Sequence, residues 1–222
     1  MPERPPTDAG TVAVPRPLGL RDYAVEAALR LATSLLFAAF AYAAAQQWLA
    51  DPGRITLLLI VLAEFVTIAI ALTARVPEKR DWSPISVACA IAATYYFLWI
   101  QLAPGIHLVP EMVGVALQAA GILLQIGAKL TLRRAFGLLP ANRGIVSGGP
   151  YRLVRHPIYL GYFISYIGFL LVNFGLQNLL VYAVQLGLLA VRAVREERLL
   201  SADPAYRAYQ DKVRYRVVPG LF

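Results

Sequence analysis

The sequence is 222 residues long, of which 59% are hydrophobic and only 15% are charged. Its mean hydropathy is +0.59. These values exclude an ordinary soluble domain and are typical of a protein that crosses a membrane several times. Cys89, the single cysteine, lies in an apolar run, which excludes a disulfide framework and a CxxC metal site.

The first half of the chain predicts membrane anchoring without a recognisable chemical motif. Residues 1–22 are polar and rich in proline, so we expect a disordered N-terminal tail with no cleavable signal peptide. Residues 23–110 contain three apolar spans, at about 24–49, 55–74 and 84–102. Each span is close to the roughly 20 residues that cross a bilayer core as a helix, so this part predicts three transmembrane helices.

The second half, residues 111–222, predicts a functional unit. A fourth apolar span covers 111–132, and the polar segment 133–157 follows it. Residues 158–191 are apolar again but are interrupted around Asn173 and Gly175, which predicts a hairpin of two helices. Asp203 followed by Pro204 predicts the start of a further helix in the polar tail. The predicted fold is therefore all-α: a polytopic transmembrane bundle of about six spans with a cytoplasmic C-terminal helical tail.

The distribution of basic residues predicts the orientation. All Lys and Arg residues except Arg54 fall in segments that alternate onto one side of six spans. The positive-inside rule places that side in the cytoplasm, together with both termini. The net charge of +8 therefore indicates contact with anionic lipid of the bilayer and no nucleic-acid partner.

Several polar residues lie inside predicted spans. One helical face of the fourth span carries small and amide residues, which indicates either a helix–helix seam or a polar cavity wall: Gly114, Gln118, Gly121 and Gln125. Glu64 lies in the middle of the second span, where an ionisable residue is costly. It serves either a structural role through hydrogen bonding or a role in binding a ligand, and direct pairing with Lys129 is not expected.

Two charged clusters at the membrane edge form the candidate site. Glycines and Pro150 precede the first cluster, and the second follows the predicted hairpin; together they comprise Arg155, His156, Tyr159, Arg192, Glu196 and Glu197. Pro157 predicts the first turn of a helix whose backbone N–H groups can face a carboxylate. Carboxylates beside arginines can hold a zwitterionic ligand or form only a surface ion pair. No Walker loop, dinucleotide-binding loop or HExxH motif is present, and no metal site is predicted.

The segment from Gly149 to Gly161, which reads GPYRLVRHPIYLG, followed by Glu196 and Glu197, resembles a known signature. It resembles the RHPxYxG…EE pattern of integral-membrane methyltransferases, most closely the isoprenylcysteine carboxyl methyltransferase family and its bacterial relatives. The lead-in 132–137 and the tail 204–220 are similar to that family as well, so the resemblance spans residues 111–222.

The resemblance implies S-adenosylmethionine as the methyl donor, bound at the cytoplasmic face. It implies a set of cofactor-binding residues, namely Tyr151, His156, Pro157, Tyr159, Gly161 and Glu197, with Glu196 or Glu197 holding the amino group. The residues that it implies for catalysis are Arg155, Arg192 and Glu196. The implied acceptor is lipophilic, and the favoured one is the carboxylate of an isoprenylcysteine-like, prenyl or lipid molecule.

Three alternatives remain open at the level of sequence. An amine acceptor would make the protein a phospholipid N-methyltransferase. Membrane sterol-type reductases share a similar RHPxYxGE-like ending and use NADPH, but here Tyr162 follows Gly161 where an acidic residue is expected. A non-catalytic scaffold or small transporter is compatible with six spans, although it does not explain the clustered motif.

Overall fold

The computed structural model describes residues 19–73, 84–132 and 146–221. The predictions for most of the N-terminal tail, for the loop at 75–83 and for the lead-in at 133–137 lie outside the described residues. Every named element in the described ranges is a helix, which confirms the all-α prediction.

The helices follow the predicted apolar spans closely. In chain order they are α1 (Leu20–Ala50), α2 (Ile55–Thr73), α3 (Pro84–Tyr95), α4 (Glu111–Leu132), α5 (Pro157–Val172), α6 (Leu176–Leu200) and α7 (Pro204–Lys212). Short 3₁₀ turns cover Tyr96–Trp99 and Gly149–Arg152. Within the described chain, α1, α2, α4 and α6 are long and apolar enough to cross a membrane, while α3 and α5 are shorter apolar helices. The protein is therefore an integral membrane protein.

The predicted break in the last apolar stretch lies at a buried polar network, at the end of the bundle where α5 ends. Arg54 is only 3% exposed and donates to Asn173 Oδ1 at 2.5 Å and to the carbonyl of Leu102 at 2.8 Å. Asn178 donates to the carbonyl of Asn173 at 2.9 Å. Buried polar groups require partners, so these bonds join the α1–α2 turn, the loop before α4 and the α5–α6 turn.

The periodic face of α4 packs tightly against α5. A Cβ atom added at Gly168 would lie 2.5 Å from the backbone nitrogen of Gln118 and 2.7 Å from the carbonyl oxygen of Gly114. Gly121 and Gly161 approach each other in the same way, two turns away from Gly114 and Gly168 along the two helices. The predicted seam is therefore present, because only glycine allows the two backbones to come this close.

We expect Gly168→Ala to destabilise the protein by about 1–3 kcal/mol, since the added methyl group overlaps rigid backbone atoms of α4. Gly187→Ala on α6 is the matched control, because a Cβ atom there meets nothing within 4 Å. Thermal unfolding in detergent measures both. Equal melting temperatures for the two variants would show that the α4–α5 seam is not tightly packed.

Candidate active site

A cavity of about 210 Å³ lies inside the helical bundle. One end is bounded by polar residues at the start of α5, the end of α6 and α7; we call this the α7 end. The cavity continues between the helices to apolar residues such as Phe40, Ile60 and Phe97. Residues of α1, α2 and α3 thus line the same cavity as the predicted site, although no sequence motif indicated this.

Six of the nine predicted site residues line this cavity: Tyr151, Arg155, His156, Tyr159, Arg192 and Glu196. The remaining three are not among its described lining residues. Pro157 is buried in the first turn of α5. Gly161 lies in the α4–α5 seam, where an added Cβ atom would be 2.5 Å from Gln125 Cγ. Glu197 is buried beside the cavity.

Glu197 is the centre of a buried ionic cluster, which we call the Glu197 cluster and which comprises Arg155, His156, Glu197 and Arg216. Arg155 Nε donates to Glu197 Oε1 at 2.7 Å, and Arg216 Nε donates to Oε2 at 2.9 Å. His156 Nε2 lies 3.2 Å from Oε1. Glu197 is 3% exposed, so its charge is compensated almost entirely by these side chains.

The C-terminal segment 213–216 binds to the residues just before α5. The backbone nitrogens of Arg155 and His156 donate to the carbonyls of Tyr215 at 2.9 Å and Arg216 at 2.7 Å. Arg155 Nη1 also donates to the carbonyl of Val213 at 2.7 Å. The carbonyls of the tail therefore bind the N–H groups of the two residues that precede α5, and the guanidinium of Arg155 is largely engaged in holding the tail and Glu197.

Helix α7 folds over the α7 end of the cavity. Asp203 accepts from the backbone nitrogen of Ala205 at 2.9 Å, which confirms the predicted N-cap. Tyr206 and Tyr209 line the cavity, and the Tyr209 hydroxyl donates to the carbonyl of Tyr151 at 2.7 Å. Burial raises the pKa of Tyr209 to about 12, so this hydroxyl remains a donor at neutral pH.

Glu196 and Arg192 are the charged side chains that α6 presents to the cavity. They lie four residues apart on one face of the helix. The Tyr159 hydroxyl is 3.4 Å from Glu196 Oε2, and Arg192 Nη1 is 3.4 Å from Thr94 Oγ1. A carboxylate and a guanidinium thus face the same space, an arrangement that suits a ligand carrying both charges.

A row of aromatic rings forms one wall of the cavity. His156 and Tyr159 are stacked with their ring centroids 5.2 Å apart. Tyr162 stacks on Tyr166 at 5.7 Å, and Tyr166 stacks on Tyr182 at 4.3 Å. The faces of such rings attract cations, including ammonium and sulfonium groups. The spacing of the three α5 tyrosines at i, i+3 and i+7, which places them on one face of the helix, is the sequence feature that indicates this wall.

Comparison with known families places this site within a matched region. Residues 110–205 match the family model described as phospholipid methyltransferase. The match covers α4, α5 and α6 with the segment before α5, and it includes all nine predicted site residues. No curated protein matches the chain in sequence. The match supports a membrane methyltransferase, whereas the family matched is not the isoprenylcysteine carboxyl methyltransferase family that the motif resembles.

We expect Glu197→Gln to lower the free energy of unfolding by about 3 kcal/mol, because it leaves buried cationic groups without their carboxylate. The same substitution at the neighbouring residue, Glu196→Gln, changes it by less than about 1 kcal/mol, because Glu196 faces the cavity. Thermal unfolding of both variants in detergent provides the measurement. Similar losses in both would contradict the structural role assigned to Glu197.

Proposed function

We propose that this protein is an integral-membrane methyltransferase that uses S-adenosylmethionine and acts on a lipophilic acceptor. One observation carries the proposal: a single cavity joins the polar α7 end to an apolar region between the membrane helices. A water-soluble methyl donor and a membrane-dissolved acceptor need such a shared space. The match of residues 110–205 to a phospholipid methyltransferase model supports the same reaction type.

The residues at the α7 end fit the chemical groups of the methyl donor. Glu196 can accept from its ammonium group, and Arg192 can bind its carboxylate through paired hydrogen bonds. The stacked faces of His156 and Tyr159 suit its cationic sulfur or its adenine ring. When bound, the donor supplies a methyl group that is already activated by the positive sulfur.

The Glu197 cluster supports this arrangement from behind the cavity wall. Glu197 holds Arg155 and His156 in place, so we assign it a positioning role together with Pro157 and Gly161. Since the methyl group is activated in advance, the contribution of the protein is to orient the reactants and to exclude water. Tyr206 and Tyr209 of α7 cover the α7 end and help to exclude water.

A lipid or prenyl carboxylate is the favoured acceptor. A carboxylate oxygen attacks the methyl carbon, the bond between carbon and sulfur breaks, and its electron pair remains on sulfur. The product is a neutral methyl ester, and no proton has to move.

A phospholipid amine is the second candidate, and the description of the matched family favours it. An ammonium group must lose a proton before its nitrogen can attack the methyl carbon. Glu196 is placed to accept that proton, and His156 is a further candidate because it lines the same end of the cavity. The positive-inside argument places this end of the cavity, and both termini, in the cytoplasm for either acceptor.

The first test is direct binding to detergent-purified protein. We expect micromolar binding of S-adenosylmethionine and at least a tenfold weaker affinity for Arg192→Ala, because about 1.4 kcal/mol of charge-assisted hydrogen bonding is lost. Arg198→Ala, an exposed position on the same helix, is the control. Binding of NADPH alone would indicate the reductase class, and binding of neither by folded protein would favour a scaffold.

The second test identifies the methylated atom. Protein in membranes is incubated with methyl-labelled donor, and the lipid extract is then treated with mild alkali. A carboxylate acceptor gives a methyl ester, so we expect the label to be released as volatile methanol. Label that stays non-volatile after alkali treatment and is recovered in the nitrogen base of the headgroup would instead establish N-methylation and exclude a carboxylate acceptor.

A further inference from the structure

We infer a second binding subsite in the membrane-level part of the cavity, formed by Glu64, Gln118 and Gln185, which binds a neutral hydrogen-bond-donating group of the acceptor. A hydroxyl group or an amide N–H is the chemistry that this subsite recognises. The inference rests on the proposed function only in identifying the ligand as the methyl acceptor. The subsite itself follows from the arrangement of three side chains from α2, α4 and α6.

The amide groups provide the main evidence. Gln118 and Gln185 both line the cavity, and they are only 3% and 2% exposed. Within the residues that the structure describes, the side-chain oxygen of each is buried without a hydrogen-bond partner. A buried acceptor without a donor costs about 1–3 kcal/mol, so two such oxygens on one cavity indicate that a ligand supplies the donors.

A third glutamine on this cavity, Gln125, has a hydrogen-bond partner within the protein. Gln125 lies two turns from Gln118 on the same face of α4 and also lines the cavity. Its side-chain nitrogen donates to Ser165 Oγ at 3.1 Å. Gln185 is likewise fixed through its nitrogen, which donates to the carbonyl of Ala93 at 2.7 Å. Because the amide nitrogen of Gln185 points to the Ala93 carbonyl, its amide oxygen points away from that carbonyl.

Glu64 adds a third oxygen acceptor to the subsite. Its side chain lines the cavity and lies within electrostatic range of the Tyr166 and Tyr182 hydroxyls. Lys129 supplies a positive charge close to Glu64. Lys129 is 2% exposed, donates to Thr67 Oγ1 at 3.0 Å and lies 5.5 Å from the centre of the Tyr162 ring.

The charge balance decides between a cationic and a neutral ligand group. Lys129 is buried and donates to Thr67, one turn of α2 from Glu64, so a second cation at this site would be repelled by its ammonium group, and the two neutral amide oxygens carry no charge to offset that repulsion. A neutral donor gains a hydrogen bond to a charged acceptor without that cost. The subsite therefore favours hydroxyl or amide N–H groups over an ammonium group.

The position of the subsite constrains the shape of the acceptor. Tyr166 and Glu64 both line the membrane-level part of the cavity, and Tyr159 donates to Glu196 at the α7 end at 3.4 Å. Seven residues separate these tyrosines on α5, so the two parts of the cavity lie about 10 Å apart along the helix axis. We therefore expect an acceptor whose donor group is separated by about two helical turns from the atom that is methylated, with apolar chain beyond it.

The experiment uses three amphiphiles with the same chain and the full-length protein in detergent, without a methyl donor. The probes are 1-O-dodecylglycerol, its di-O-methyl ether and dodecylammonium. Ligand titrations followed by thermal unfolding give the affinities. We expect dodecylglycerol to bind, and its dimethyl ether, which has no donors, to bind at least tenfold more weakly.

Two variants test the residues. Gln118→Met removes one unpartnered oxygen at nearly constant volume, and Glu64→Gln removes the charge while keeping an oxygen. Each is expected to weaken dodecylglycerol binding about tenfold, the effect of one hydrogen bond in a dry site. Gln46→Met, at an exposed position of α1, is the control. The two substitutions act separately, so a variant that fails to fold leaves the other informative.

The outcomes separate this inference from the proposed function. Equal affinities for dodecylglycerol and its dimethyl ether, or unchanged binding by both folded variants, would overturn the subsite. Stronger binding of dodecylammonium would overturn the choice of a neutral donor. If dodecylglycerol binds as expected while S-adenosylmethionine does not bind, the subsite stands and the methyltransferase proposal falls.

Discussion

The arrangement of the site depends on one buried carboxylate, that of Glu197. Three parts of the chain that are distant in sequence meet at it: the residues before α5, the end of α6 and the C-terminal segment. Removing a carboxylate from water is costly, and the cost is offset only when all its partners are in place. The Glu197 cluster therefore joins the walls of the α7 end to one another.

The two adjacent glutamates have different surroundings because of helix geometry. Successive residues of an α-helix point about 100° apart, so Glu196 faces the cavity while Glu197 faces the segment before α5. Of two acidic residues adjacent in sequence, one thus lines the cavity and the other holds three segments of the chain together. The two arginines differ in a similar way, because Arg155 is bonded to Glu197 and to the tail, whereas Arg192 lies in the cavity on the same face of α6 as Glu196.

The sequence predicts the helices well because membrane spans are defined by length and local composition. The bounds of α4, the break near Asn173 and the cap at Asp203 all depend on neighbours in sequence. The partners of Glu197 depend instead on contacts between distant segments. Arg216 carries no motif of its own, and nothing in the sequence shows that it meets a glutamate 19 residues away. For the same reason, the sequence does not predict that residues of α1, α2 and α3 line the cavity.

Glu64 shows how the two halves of the chain depend on each other. In a bundle of α1, α2 and α3 alone, its carboxylate would face lipid, where a charged group is costly. Lys129 on α4 brings a positive charge close to it, and tyrosines of α5 and α6 line the same cavity. Lys129 in turn needs Thr67 and the Tyr162 ring. The N-terminal helices therefore complete an electrostatic arrangement that the matched region, residues 110–205, begins. The cavity is therefore polar at the α7 end and also between the membrane helices, and both polar parts depend on residues from the two halves of the chain.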